Sequence, residues 1–182
     1  MIYVALLRGV NVGGKARVEM AKLAATFQSL GYKNVRTYIN SGNVVFTAPE
    51  ADPTMLAVTV ESAITARFQL EVPVVVRTKP NIDALVAAIP EEWANGEIQK
   101  TDVLFLWSAI NQPSIKDQFK IKPDIERLLY VDGALVWNVD RAHINQGTML
   151  KIVGTATYKQ VTIRNINTVR KLAAIMAETP RE

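Results

Sequence analysis

The sequence predicts an α+β protein made of two like halves. Three features carry that prediction. Short β-branched runs alternate with stretches of helical spacing, and each half holds a tight-turn signal, Asn40-Ser41-Gly42-Asn43 in the first and Asp132-Gly133 in the second. An arginine also closes the last strand of each half, Arg77 and Arg164, with apolar residues five and eight positions further on: Ile82 and Leu85, then Val169 and Leu172.

The elements follow in order. Ile2–Leu7 is an aliphatic and β-branched run that reads as a strand. Met20, Leu23, Ala24, Phe27 and Leu30 recur at helical spacing, and Gly31 stands where a helix C-cap belongs. Val35–Ile39 and Val44–Thr47 flank the first turn signal and form a hairpin. Pro53 opens a second helix with Leu56, Val60, Ala63, Ile64 and Phe68 on one face. Val72–Arg77 is a fourth strand, and a helix over Ile82–Ile89 follows Pro80.

The second half repeats the order. Val103–Trp107 is a strand, and a short helix runs from Ser114 to about Lys120 between Pro113 and Pro123. Arg127–Val131 and Leu135–Val139 pair across Asp132-Gly133. Residues 146–154 read as helical, Val161–Arg164 as a strand and Thr168–Ala177 as a helix. Each half is therefore β-α-β-β-α-β, the ferredoxin-like unit, with one added helix. The expected division is a first subdomain over 1–92, a polar linker over 93–99 containing Asn95-Gly96, and a second subdomain over 100–182.

Composition narrows the function classes. The 182 residues include no cysteine, which excludes disulfides, thiol redox chemistry and cysteine-based zinc sites. The longest apolar runs are too short to span a membrane, and the opening run lacks the charged start and cleavage-like end of a signal peptide. A cytoplasmic location and no membrane partner are expected. The net charge of +4 is unevenly placed. Residues 1–47 hold six basic residues and one acid, residues 48–99 three and eight, and residues 100–182 twelve and eight. A basic opening segment favours an anionic partner, although two solvated faces of opposite sign explain the same distribution.

The loop after the first strand is the strongest candidate for chemistry. Arg8 ends the apolar run, Gly9, Gly13 and Gly14 keep the backbone bare, and Lys15 precedes a helical pattern. Bare N–H groups near a helix start, with an arginine fork and a lysine point charge, suit a phosphate or carboxylate. Gly9 to Lys15 even fits G-x-x-x-x-G-K. Ala16 stands where that motif requires a hydroxyl, and the expected antiparallel sheet is wrong for it, so a nucleotide triphosphatase is excluded. The same glycines also suit a tight crossover, with Arg8 paired internally.

Two further clusters join this loop. Tyr38, Ser41 and Asn43 surround the first hairpin turn, where Asn and Gly already satisfy the turn geometry. Arg164 ends an apolar strand, where a buried guanidinium needs partners, and one of Asn165, Asn167 or Thr168 caps the next helix. The candidate ligand-binding set is Arg8, Gly9, Asn11, Gly13, Gly14, Lys15, Tyr38, Ser41, Asn43, Arg164 and Asn165. No catalytic residue stands out, and no cofactor or metal is implied. His143 is the sole histidine and reads as a surface or turn residue, while Trp93, Trp107 and Trp137 read as core.

Residues 5–15, residues 31–46 and Thr162-Ile163-Arg164-Asn165-Ile166-Asn167-Thr168-Val169 resemble three signature blocks of the bacterial domain-of-unknown-function family 1697. The resemblance covers nearly the whole chain and implies two α+β subdomains of ferredoxin-like type, with no established activity. The sequence departs from the family pattern at Ile166, where Trp is usual, and at Thr148-Met149-Leu150-Lys151, a poor version of a Ser-Lys-Leu segment.

Three functional readings stand. The first is a binding protein for a phosphate-bearing ligand, either a nucleotide or a nucleic acid. Ile2–Leu7 is similar to the first strand of an RNA-recognition sheet, but Asn43–Phe46 lacks the matching aromatic ladder. Nucleic-acid binding by charge alone remains, with the salt dependence this brings. The second is an enzyme acting on a small anionic metabolite held by Arg8, Asn11, Lys15 and Arg164, with only Tyr38 and Ser41 near the loop to act as nucleophile or base. The third is a structural or interaction module without a ligand. Oligomeric state is not legible in the sequence.

Overall fold

The computed structural model describes residues 1–13 and 17–180. It divides into two compact units, Met1–Pro80 with Leu172–Glu182, and Asn81–Lys171.

The first unit carries a four-stranded antiparallel sheet of β1 (Ile2–Leu7), β2 (Lys33–Tyr38), β3 (Asn43–Thr47) and β4 (Val74–Thr78), in the order β2-β3-β1-β4. That is the strand order of a ferredoxin-like βαββαβ unit. Helices α1 (Met20–Ser29) and α2 (Pro53–Phe68) cover one face. α2 begins where Asp52 accepts a hydrogen bond from Thr54 N at 2.8 Å and Pro53 fills the first turn. Alternate residues of β1, namely Tyr3, Ala5 and Leu7, join Phe27, Phe46, Val60 and Ile64 in the core. Tyr3 stacks on Phe46 at 5.6 Å between centroids, and its hydroxyl donates to Ala51 O at 3.2 Å. The aromatic of the first strand is thus a core residue and unavailable to stack a base.

The second unit repeats the sheet with β5 (Gln99–Leu106), β6 (Glu126–Val131), β7 (Ala134–Asp140) and β8 (Val161–Asn165), in the order β6-β7-β5-β8. The duplication extends to single hydrogen bonds. Leu7 N donates to Gly42 O and Arg8 N to Pro73 O at the end of β1. Leu106 N donates to Gly133 O and Trp107 N to Gln160 O at the end of β5.

The helices of the second unit depart from expectation. In place of an α-helix over Ser114 to Lys120 the chain forms 3₁₀ turns at Ser108–Ile110 and Pro113–Gln118. Pro113 and Pro123 leave too little chain for a stable α-helix to nucleate. The stretch 146–154 is likewise not α-helical. It holds the 3₁₀ turn Met149–Ile152 between Gly147 and Gly154, after another at Arg141–Gln146 and before the four-residue α4 (Ala156–Lys159). Ile115, Phe119, Met149 and Ile152 from these turns cover the sheet where helix faces would otherwise lie.

Helix α3 (Lys79–Ala88) follows β4 directly and buries Ile82 and Leu85. Helix α5 (Ile166–Glu178) follows β8 and buries Val169 and Leu172 at the same offsets from its arginine. The second unit takes in nearly all of α3, and the first takes in α5 from Leu172 on, where Glu178 pairs with Arg36 at 3.3 Å. The polar stretch 93–99 lies inside the second unit, where Trp93 is buried and Thr101 Oγ1 donates to Ala94 O at 2.7 Å.

Candidate functional site

The loop after β1 owes its shape to left-handed residues. Gly9, Asn11 and Gly13 take φ of 74°, 56° and 61°. Such angles are open to glycine and, next best, to asparagine. The Asn11 side chain then ties the loop down. Its Nδ2 donates to Val18 O and to Asn40 O, both at 2.8 Å, and its Oδ1 accepts from Val18 N at 2.9 Å. One side chain thereby closes the loop on itself and fastens it to the β2–β3 turn.

Packing separates the glycines into two kinds. A methyl group on Gly42 would lie 2.7 Å from Leu7 Cβ and 2.7 Å from Val10 Cγ2, so this glycine lets the turn pass over the buried end of β1. At Gly9 and Gly13 nothing lies within 4 Å of such a methyl. Their backbone faces open space, and packing does not require them to be glycine.

The structure gathers Arg8, Gly9, Asn11, Gly13, Tyr38, Ser41 and Asn43 at one end of the first sheet. Arg8 and Tyr38 are half-buried. Asn43 is fully buried and donates from Nδ2 to Tyr38 O and to Ser41 Oγ, both at 2.9 Å, which locks the hairpin turn. Gly14 and Lys15 lie outside the described residues. Arg164 and Asn165 belong to the second unit. Arg164 is 8% exposed, donates from Nη1 to Thr162 Oγ1 at 3.1 Å and to Ile163 O at 2.8 Å, and is pushed down by burial to about 10, which leaves it charged at neutral pH. Asn165 Oδ1 accepts from Thr168 N at 2.9 Å and caps α5.

The family model described as "Protein of unknown function (DUF1697)" matches residues 1–137. The chain belongs to the DUF1697 family. No curated protein matches it. Among solved structures it is similar to the conserved bacterial protein SP0830 from Streptococcus pneumoniae, with 24% identity over 96% of this chain and 98% of that one and a TM-score of 0.82. Likeness at that identity is a likeness of fold.

This DUF1697 chain also carries polar centres in its second unit that sequence reasoning missed. Asn111 plays the part of Asn11. Its Oδ1 accepts from Gly133 N at 2.8 Å and Tyr130 OH at 3.0 Å, and its Nδ2 donates to Asp132 Oδ1 at 2.9 Å. Glu126 is 1% exposed and is a hub. Its Oε1 accepts from Trp137 Nε1 at 2.8 Å and Thr148 N at 2.7 Å, and its Oε2 from Lys122 N and Thr148 Oγ1, both at 3.0 Å. Burial alone would raise this carboxyl, but the donors from Lys122, Thr148 and Trp137 outweigh it and hold it below its ordinary value. An acid at a strand start reads as solvated, so only the apolar residues around it and Trp137 across the hairpin could have signalled the pairing.

Among the described residues no group of His, Asp and Glu side chains is arranged to hold a metal ion, and no helix is long and apolar enough to cross a membrane.

Proposed function

We propose that this DUF1697 protein binds a phosphate-bearing ligand, a nucleotide or a nucleic-acid segment, at the loop that follows β1. The observation that carries this reading is the sequence of left-handed residues Gly9, Asn11 and Gly13 with open space beside both glycines. Backbone that changes hand from residue to residue turns its N–H groups toward a common concavity, and such concavities accept anions. The Asn11 staple holds this backbone in place before any ligand arrives, which lowers the entropy lost on binding. Arg8 stands at the root of the loop, and residues 1–47 carry the chain's densest excess of positive charge.

A second reading, a structural module without a ligand, draws support from Asn43 and Asn165, whose side chains are engaged in a turn lock and a helix cap. One experiment separates the two. Inorganic phosphate, ATP and a short single-stranded oligonucleotide are each added to the full chain, and the melting temperature is read at low and high salt. A probe that binds the folded state alone raises it, by about 2.7 kcal/mol of stability at a hundredfold excess over Kd. The phosphate reading expects a shift from at least one probe, lost in Arg8→Ala and partly kept in Arg8→Lys. No shift from any probe, or a shift that Arg8→Ala leaves intact, rejects it in favour of the structural module.

A further inference from the structure

The second unit holds a cavity of about 270 Å³ between the segment around Phe119 and the segment from Thr148 to Thr157. Its size is near the lower end of small-molecule sites. Phe119 and Ile152 are among its apolar lining residues and are 6% and 8% exposed. Lys120 and Lys151 also line it; both are exposed, and neither forms an ion pair among the described residues. Gln118 also lines it, and Thr157 Oγ1 donates to Gln118 Oε1 at 2.6 Å, which occupies an acceptor of that amide. Among the described residues no acid lines the cavity. Glu126 is tied to the lining residue Thr148, and its oxygens are taken by donors from Trp137, Lys122 and Thr148.

We propose that this cavity is a binding site for a small organic anion, a carboxylate or phosphate head on a compact apolar body. Among the described lining residues the charged groups are Lys120 and Lys151, and the hydroxyls of Thr148, Thr155 and Thr157 already donate within the protein, so the ligand's polar end is one that accepts hydrogen bonds and carries negative charge. Phe119 and Ile152 give an apolar body a surface that a bare hydrated ion would not use. The site is built wholly from residues of the second unit and shares none with the loop after β1.

The test uses the full chain and four probes: phenyl phosphate, benzoate, the neutral benzamide and inorganic phosphate. Amide chemical shifts in ¹H–¹⁵N spectra are followed on titration. Phenyl phosphate or benzoate is expected to shift the amides of Lys120, Lys151, Ile152 and Thr155. The double variant Lys120→Ala, Lys151→Ala keeps the wild-type melting temperature, because both side chains are exposed, and binds the same probe about tenfold more weakly or worse. Equal binding of benzamide overturns the anionic head, and equal binding of inorganic phosphate overturns the apolar body. Undiminished binding by the double variant, or silence of these amides toward both organic anions, overturns the site.

Discussion

Arg77 and Arg164 hold the same register position in their two sheets. Arg77 lies opposite Val4 on β1, and Arg164 lies opposite Val103 on β5. Each turns its Nη1 back to the carbonyl of the residue before it, Val76 O at 3.0 Å and Ile163 O at 2.8 Å. The duplication therefore reaches a strand-end guanidinium and its hydrogen bond, half-buried at Arg77 and buried at Arg164. Arg8, which follows β1, has a different counterpart: the equivalent position after β5 is Trp107, whose N–H donates to Gln160 O as that of Arg8 donates to Pro73 O.

A buried arginine stabilises partly through its aliphatic stem. Arg164→Met keeps most of that stem and is expected to cost less than Arg164→Ala, which leaves a cavity as well as unmet hydrogen bonds at Thr162 and Ile163. About 3 kcal/mol is expected for the alanine and about half of that for the methionine. Urea unfolding measures both. Equal losses would mean that the charge and its hydrogen bonds matter and the stem does not.

Much of this architecture was legible because local chemistry and tertiary context agree. Asn40 to Asn43 and Asp132-Gly133 demand turns, and the sheets pair on either side of them. Pro53 and Gly31 mark helix ends that the structure keeps. Legibility fails where the second unit replaces helices with 3₁₀ turns. There the apolar spacing of Ile115 and Phe119 still buries both residues, but Pro113 prevents the α-helical hydrogen-bond ladder that the spacing implies. The loop after β1 was visible through its glycines. The Asn11 staple was not, since it depends on bringing residues 11, 18 and 40 together, a tertiary fact with no periodic trace.

The two kinds of glycine give contrasting substitutions. Gly42→Ala combines a φ of 73° with a 2.7 Å approach to Leu7 Cβ, an atom fixed to a buried strand. A loss of about 3 kcal/mol is expected. Gly9→Ala meets only its φ of 74° in open space, and about 1 kcal/mol is expected from the left-handed backbone. Chemical denaturation of the two variants side by side tests this ordering. A Gly9→Ala loss as large as that of Gly42→Ala would contradict the open space beside Gly9.

Glu126 predicts a pH dependence with a definite sign. Its folded carboxyl titrates below the unfolded value, so its stabilisation is complete above the ordinary carboxylate range and is lost as pH falls through the folded value. Glu126→Gln keeps the shape but replaces one accepting oxygen by a donor facing Thr148 or Lys122. About 3 kcal/mol is expected at neutral pH, shrinking as the solution is acidified. Asp102 acts in the opposite sense, since burial, the larger cause, raises it against Lys100 at 3.1 Å. It is common to both proteins, so the difference between them isolates Glu126. A gap that stays constant or widens on acidification would contradict a depressed Glu126.

Asn11 offers the sharpest test of the loop itself, because its backbone and side-chain roles can be separated. Asn11→Gly keeps the positive φ and removes all three side-chain hydrogen bonds, while Asn11→Ala also strains the backbone. Val18 N loses its acceptor in both variants. Its amide is therefore expected to exchange with solvent faster in both, with the β1 amides unchanged because their ladder to β3 and β4 is untouched. Global stability should fall further in Asn11→Ala than in Asn11→Gly by about 1 kcal/mol, the cost of the left-handed conformation for a residue with a Cβ. If Val18 exchange stays at the wild-type rate in Asn11→Gly, the staple does not hold the loop. The preorganisation that makes the loop a candidate anion site would then have to come from the β1–β3 end contacts alone.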